Sequence, residues 1–394
     1  MLAIKGGKLI TVTHGIIDDG VILIDGGVIR EIGGSSMGIP DGCEVEDVHG
    51  AWIYPGFVEV SSHIGANRQP SDFINDLKDG VHDGIDQTEP LSPELRVAWA
   101  VNPQDNTIKW VQSSGITTCF IAPGPGCLID GQGMAFKIRP AESIDDILIP
   151  GSEQMCFTLG DEVTAAFRRR KMNPSSRMRV VEMLLDVLDR AVEYAHTPET
   201  ERKRDAKLEA LVPAVTGRQK VRFECLRGDD IVTAIKISEK FGLDYIITGA
   251  FESCSVPEFI AAHGARVALE AVPFGPERCM PMIHRFNFAF ETAAMLEERG
   301  CLAAITVNEN GQTRRLPILA GFATAYGLSE QSALESITIR PARLLGLDSR
   351  IGSLEPGKDA DLAIYSGNAL SNFSRCMKVM SEGRWVFDGE GECV

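Results

Sequence analysis

Apolar and polar positions follow two different rhythms along the chain. In residues 2–53, short β-rich runs (Leu9-Ile10-Thr11-Val12, Val21-Ile22-Leu23-Ile24, Val28-Ile29-Arg30-Glu31-Ile32) are separated by Asp-Gly and Gly-Gly turns. Such runs, broken by turn dipeptides, predict an antiparallel sheet of hairpins. The texture returns in 352–364 and 377–387, so both chain ends are expected to build one sheet domain. Between them, strand-like runs at 57–63, 116–122, 134–138, 155–159, 221–225, 245–248, 266–271 and 302–307 alternate with helical segments. Segment 177–195 carries Met178, Val181, Leu184, Leu185, Leu188 and Val192 at helical spacing, and 229–241 begins with an Asp-rich turn. Eight strands alternating with helices predict an α/β fold. The expected form is a closed (β/α)8 TIM-like barrel over 54–347, inserted into a small β-sandwich domain made of 1–53 plus 348–394. Segment 196–205 is polar and charged and predicts an exposed link between helices.

Composition narrows the partners. Asp and Glu outnumber Lys and Arg by 55 to 39, for a net charge of −16. That balance excludes a nucleic-acid backbone or an anionic membrane as the natural partner and favours a cationic or neutral ligand. No apolar run approaches the roughly 18 residues a membrane span needs, and Met1-Leu2-Ala3-Ile4-Lys5-Gly6-Gly7 lacks the order of a signal peptide, so a cytoplasmic protein is expected. The ten cysteines contain no Cys-x-x-Cys pair, and Cys119, Cys156 and Cys301 sit in apolar runs, which predicts reduced core thiols. The basic run Arg168-Arg169-Arg170-Lys171 reads as a solvated loop, and Pro123-Gly124-Pro125-Gly126 as a turn without the Lys-Ser/Thr of a phosphate loop.

Three stretches together resemble the imidazolonepropionase-like branch of the amidohydrolase superfamily. They are Pro55-Gly56-Phe57 opening the first barrel strand, Ser336-Ile337-Thr338-Ile339-Arg340-Pro341-Ala342-Arg343, and the closing Ser353-Leu354-Glu355-Pro356-Gly357-Lys358-Asp359-Ala360-Asp361-Leu362. Further pieces of the branch pattern occur in Gly131-Gln132-Gly133, Pro174-Ser175-Ser176-Arg177-Met178 and Arg227-Gly228-Asp229-Asp230-Ile231, so the resemblance covers essentially the whole chain. It implies the barrel and one or two divalent metals held by a His-x-His pair on the first strand, by His residues after the fifth and sixth strands, and by an Asp after the eighth.

At those positions this chain carries other residues. Ser61 stands where the first His belongs, with His63 at the second. Glu224-Cys225-Leu226-Arg227 replaces the fifth-strand His-x-His-Arg, Gly249 the sixth-strand His, and Asn308-Glu309 the eighth-strand Asp-His pair. A lone imidazole does not hold zinc, and an amide does not take the proton an Asp would accept. Strand alternation turns Cys225 away from Glu224, toward the helices. Lys137 lies in a Met-Ala-Phe-Lys-Ile context that would permit an inward lysine such as some relatives use to bridge metals, but it has no His partners to bridge. A carboxylate site for Mg²⁺, Ca²⁺ or Mn²⁺ rebuilt from His63, Glu224, Glu252, Glu270 and Glu309 is the weaker alternative to solvated or hydrogen-bonded mouth groups.

The sequence therefore predicts a non-hydrolytic family member that binds a small molecule or supports a catalytic homologue. It predicts no catalytic residue, no metal ligand and no cofactor, with binding residues His63, Glu224, Glu252, Asn308 and Glu309 in an acidic pocket. A small cationic or amine-bearing ligand and assembly into a homo-oligomer or a hetero-oligomer are the expected partners. The alternative is an active amidohydrolase acting on C–N bonds of a cyclic amide through an altered site.

Overall fold

A computed structural model describes residues 1–66, 83–271, 287–308 and 312–389. Strands β1 (Leu2–Ile10), β2 (Ile16–Asp25), β3 (Val28–Gly33), β4 (Glu44–Asp47) and β5 (Trp52–Pro55) lead into the long middle of the chain. There follow β6 (Phe57–Ser62), β7 (Ile116–Ile121), β8 (Ile129–Lys137), β9 (Gln154–Thr158), β10 (Lys220–Cys225), β11 (Tyr245–Gly249), β12 (Arg266–Glu270) and β13 (Ala303–Thr306). The chain closes with β14 (Leu362–Tyr365), β15 (Cys376–Ser381) and β16 (Arg384–Asp388). Strands from both ends form one sheet, in the order β16-β15-β14-β5-β1-β2-β3 with β4 on β1. This sheet is mixed rather than antiparallel throughout, because β1 pairs in parallel with β4 and β5.

The eight middle strands lie in sequence order, β6 to β13, as a nearly closed barrel sheet. All eight runs expected from the sequence are strands, but one runs the other way: β8 is antiparallel to both β7 and β9. The cause is the connection 122–128, which is too short for the crossover of a dozen or so residues that a parallel pair requires. The short Pro-Gly turn that the sequence displays therefore reverses the chain.

The barrel interior away from the mouth is filled by Val58, Val60, Phe120, Ala135, Cys156, Ile246, Ala268 and Ala304, while Phe57, Cys119, Phe157, Phe223, Cys225, Val267 and Ile305 pack outward against the helices. Cys225 faces as the strand period predicts. Helix Arg177–His196, capped by Ser176 accepting from the Arg179 N–H, buries Val180, Leu184, Val187, Leu188, Ala191 and Tyr194. Each large side chain so buried contributes on the order of 2 kcal/mol. This stripe is rotated from the expected one, because Ala191 and Tyr194 extend it; Met178 stays 82% exposed.

The barrel's seam, where β13 meets β6, is held by a side chain. Glu59 accepts from the Val307 and Ser61 backbone N–H groups at 3.0 Å each and contacts the Thr306 hydroxyl, which lies 3.0 Å from the Ser61 carbonyl. At the opposite end from the strand C-termini, Lys137 Nζ donates to Asp359 at 2.8 Å and to Asp361 at 2.6 Å, all three being largely buried. Asp361 also accepts from the Glu382 N–H, and Arg350 pairs with Asp359. The Lys-Asp-Ala-Asp run is thus a clamp joining the sheet to the barrel, and Lys137 is committed to it rather than to the mouth.

Candidate functional site

Ser61, His63, Glu224 and Asn308 come together at the C-terminal ends of β6, β10 and β13. Ser61 Oγ donates to Asn308 Oδ1 at 2.9 Å, and Asn308 Nδ2 donates to Glu224 Oε1 at 3.2 Å. One hydrogen-bonded chain therefore spans three strands. Asn308 is 2% exposed and has φ +52°, a left-handed conformation that Asn tolerates better than most residues. His63 Nδ1 lies 2.9 Å from the Ala122 carbonyl, which only accepts, so the Nδ1 carries the proton and a metal could be met only by Nε2.

Glu252 sits differently. Its carboxylate accepts from the Gly228 N–H at 2.9 Å and from the Asn287 N–H at 2.9 Å, so it caps helix Gly228–Phe241. Arg227 pairs with Asp161 and Asp229 and not with Glu224. Glu270 is buried at the end of β12. Glu309 lies outside the described residues.

Several groups that sequence reasoning passed over complete the interior. Asp130, on β8, accepts from the Gly126 and Cys127 N–H groups at 3.1 and 2.9 Å and from the Thr158 hydroxyl at 2.7 Å. Burial, reinforced by the nearby Glu224 charge against those hydrogen bonds, pushes its carboxyl up to about 8. Burial likewise raises Glu59 to about 7. Arg222 is 2% exposed, donates to Gln154 Oε1 and the Val60 carbonyl, and lies 3.5 Å from the Phe120 ring centroid. Burial pulls it down to about 10, which leaves it charged at neutral pH. The clearest signal was at Glu59, the one charged residue of an otherwise apolar and small-residue strand. A cavity of about 1080 Å³ opens beside Asp130, with Asp83, Asp86, Glu94, Arg96 and Asp105 also on its wall.

The donor set does not fit the family's zinc site. The Ser61 hydroxyl and both ends of the Asn308 amide are engaged with each other and with Glu224, Gly249 has no side chain, and Leu226 is apolar. Among the described residues, no group of three or more His, Cys, Asp or Glu is placed to hold a metal ion. What remains is a polar mouth able to hold a proton on Asp130, accept hydrogen bonds at Glu224 and present the His63 imidazole.

Residues 261–386 match the family model for the amidohydrolase family. An amidohydrolase, tasK, of Hapsidospora irregularis is 24% identical over 94% of this chain, which spans 40% of that relative's length. An imidazolonepropionase of Pseudomonas aeruginosa is 25% identical over 92% of this chain and 90% of its own. The crystal structure of an amidohydrolase from Thermotoga maritima is 27% identical and superposes with a TM-score of 0.89, covering 98% of this chain and all of that one.

Proposed function

The chain belongs to the amidohydrolase superfamily, on its imidazolonepropionase-like branch, and from that premise we propose that it is a member without metal-dependent hydrolysis, whose mouth binds a small molecule or supports a catalytic homologue. The observation that carries this reading is the Ser61–Asn308–Glu224 hydrogen-bonded chain. Metal ligands act as a unit, each gaining only when the others already hold the ion, and here the substituted positions satisfy one another. The ligand in this reading is cationic or amine-bearing, attracted by Glu224 and the Asp130 wall, and the protein is cytoplasmic and oligomeric. The same reading divides the chain into a barrel, 54–347, and a β-sandwich from 1–53 and 348–394.

The test is elemental analysis of the purified protein together with turnover assays on imidazolone, dihydropyrimidine and dipeptide panels. The expected result is less than stoichiometric zinc, iron or manganese after dialysis against chelator, and no turnover, with Ser61→His restoring neither. About one tightly held metal per chain with turnover abolished by His63→Ala would overturn it.

One observation favours a second reading, an active hydrolase on a cyclic amide or related C–N bond. The Asp130 carboxyl, raised to about 8 near a second carboxyl at Glu224, is a group suited to general acid and base work. Metal-independent turnover lost in Asp130→Asn would select that reading.

A further inference from the structure

The basic run 168–171 lies at the end of helix Asp161–Arg169 and lines a second cavity. Over residues 161–179 six basic side chains stand against two acidic ones, in a chain whose net charge is −16. The acids nearby are already taken: Arg227 pairs with Asp161 and Asp229, and Arg177 with Asp229 and Asp230. Among the described residues, Arg168, Arg169, Arg170, Lys171 and Arg179 have no ion-pair partner. The cavity, of about 520 Å³, is walled by Arg168, Lys171, Met172, Asn173 and Ser175, and among these described residues there is no carboxylate. Its cations are set by the backbone. Arg168 donates from Nε and Nη2 to the Ser175 carbonyl, at 3.2 and 2.9 Å, which closes the loop and leaves Nη1 for another acceptor. The Lys171 N–H donates to the Arg168 carbonyl and the Met172 N–H to the Phe167 carbonyl, both at 3.0 Å, the helix-ending turn whose left-handed residue is usually glycine. Here that residue is Lys171, with φ +57°. A lysine there is strained where a glycine would not be, and the helix dipole does not account for it, since Arg168 and Arg169 already place cations in the last turn. The 20-residue helix Arg177–His196 opens just beyond the loop and adds its positive end to the field.

We propose that this cavity binds a doubly charged phosphoryl group, carried by a small phosphomonoester or present as free phosphate. Lys171 Nζ and Arg168 Nη1 donate to its oxygens, and Asn173 and Ser175 complete the donor set. Two cations match a phosphoryl dianion, whereas a monovalent carboxylate leaves one of them uncompensated. The space is larger than a phosphate ion, and Met172, 43% exposed, offers an organic remainder an apolar wall. The site is separate from the acidic barrel mouth, since it shares no lining residue with the cavity beside Asp130.

The experiment uses the full chain in calorimetric titrations with glycerol 3-phosphate, inorganic phosphate, glycerate and glycerol at one fixed ionic strength, together with a crystal soaked with the ester. The expected result is saturable binding of the phosphoryl probes, at least tenfold tighter than glycerate, with no binding of glycerol and with the phosphoryl oxygens on Lys171 Nζ. A tenfold preference for the ester over inorganic phosphate identifies a phosphomonoester site, and equal affinities a site for free phosphate. Lys171→Asn suits the left-handed turn, so it is expected to weaken both phosphoryl probes at least tenfold without lowering the melting temperature. Lys203→Gln, which removes an exposed cation outside the cavity, is expected to change neither. No saturable binding by the unmodified protein, glycerate bound as tightly as the phosphoryl probes, binding undiminished in Lys171→Asn, an equal loss in Lys203→Gln, or electron density for the ester only elsewhere would each overturn the proposal.

Discussion

The two ends of the barrel treat the family's residues in opposite ways. At the end next to the sheet, the Lys358-Asp359-Ala360-Asp361 run stands intact and works: Asp359 and Asp361 hold the buried Lys137 ammonium, Arg350 supports Asp359, and the Glu382 N–H supports Asp361. At the mouth, the positions that would hold metal carry Ser61, Leu226, Gly249 and Asn308, of which Ser61 and Asn308 are hydrogen-bonded to each other and Asn308 to Glu224. The clamp joins sheet to barrel, while the mouth carries other residues where the family frame places metal ligands, so the architecture is kept and the mouth has changed. A motif can certify a fold without certifying an activity.

Breaking the clamp should have the largest effect. Lys137→Ala leaves two largely buried carboxylates facing no ammonium, and loss of about 3–5 kcal/mol is expected in denaturant unfolding. A loss under 1 kcal/mol would show that the sheet and barrel do not depend on this contact. At the mouth, Asn308→Ala removes a donor from Glu224 and an acceptor from Ser61, with an expected loss of about 1–3 kcal/mol and no change in metal content. If the two variants are equally destabilised, the contrast between the ends fails.

The smallest expected difference is a proton effect confined to one pH unit. Asp130, raised from 3.8 to about 8, and Glu59, raised from 4.5 to about 7, bind protons more tightly folded than unfolded. Folded stability is therefore favoured at low pH and should fall as pH rises from about 4 to 8, levelling off above. Each group contributes a slope of at most about 1.4 kcal/mol per pH unit while only its folded form is protonated. Asp130→Asn should flatten the fall between pH 7 and 8, since Glu59 is by then ionised. An unchanged slope would show that Asp130 titrates normally.

Much of this comparison was legible in the sequence. Apolar β-branched runs located all eight barrel strands, and strand alternation placed Cys225 outward, because those signals are local. The reversal of β8 was not legible, because the apolar run 134–138 leaves 11 residues after 122, and only the extension of the strand back to Ile129 through Asp130, Gly131 and Gly133 makes the connection short. Lys137 meets partners more than two hundred positions away in sequence, and Glu252 caps a helix from a different segment; neither pairing leaves a local trace. Ser61, His63, Glu224 and Asn308 were recognisable because the family frame fixes where metal ligands fall. Asp130 and Glu59 were overlooked because no frame pointed to them.

The antiparallel course of β8 also bears on how the molecule assembles. Strands β7 and β8 are joined by a short reversal and β9 follows after residues 138–153, so their pairing closes small loops, whereas the β6–β13 seam joins residues 247 positions apart. Loop-closure entropy makes the first pairing early and the second late. The Glu59 contacts to Thr306 and Val307 are thus the last stitch of the barrel and the first to open. In native-state hydrogen exchange, the Val307 amide should exchange ahead of those in β7 and β8, marking the seam as the place where this barrel breathes.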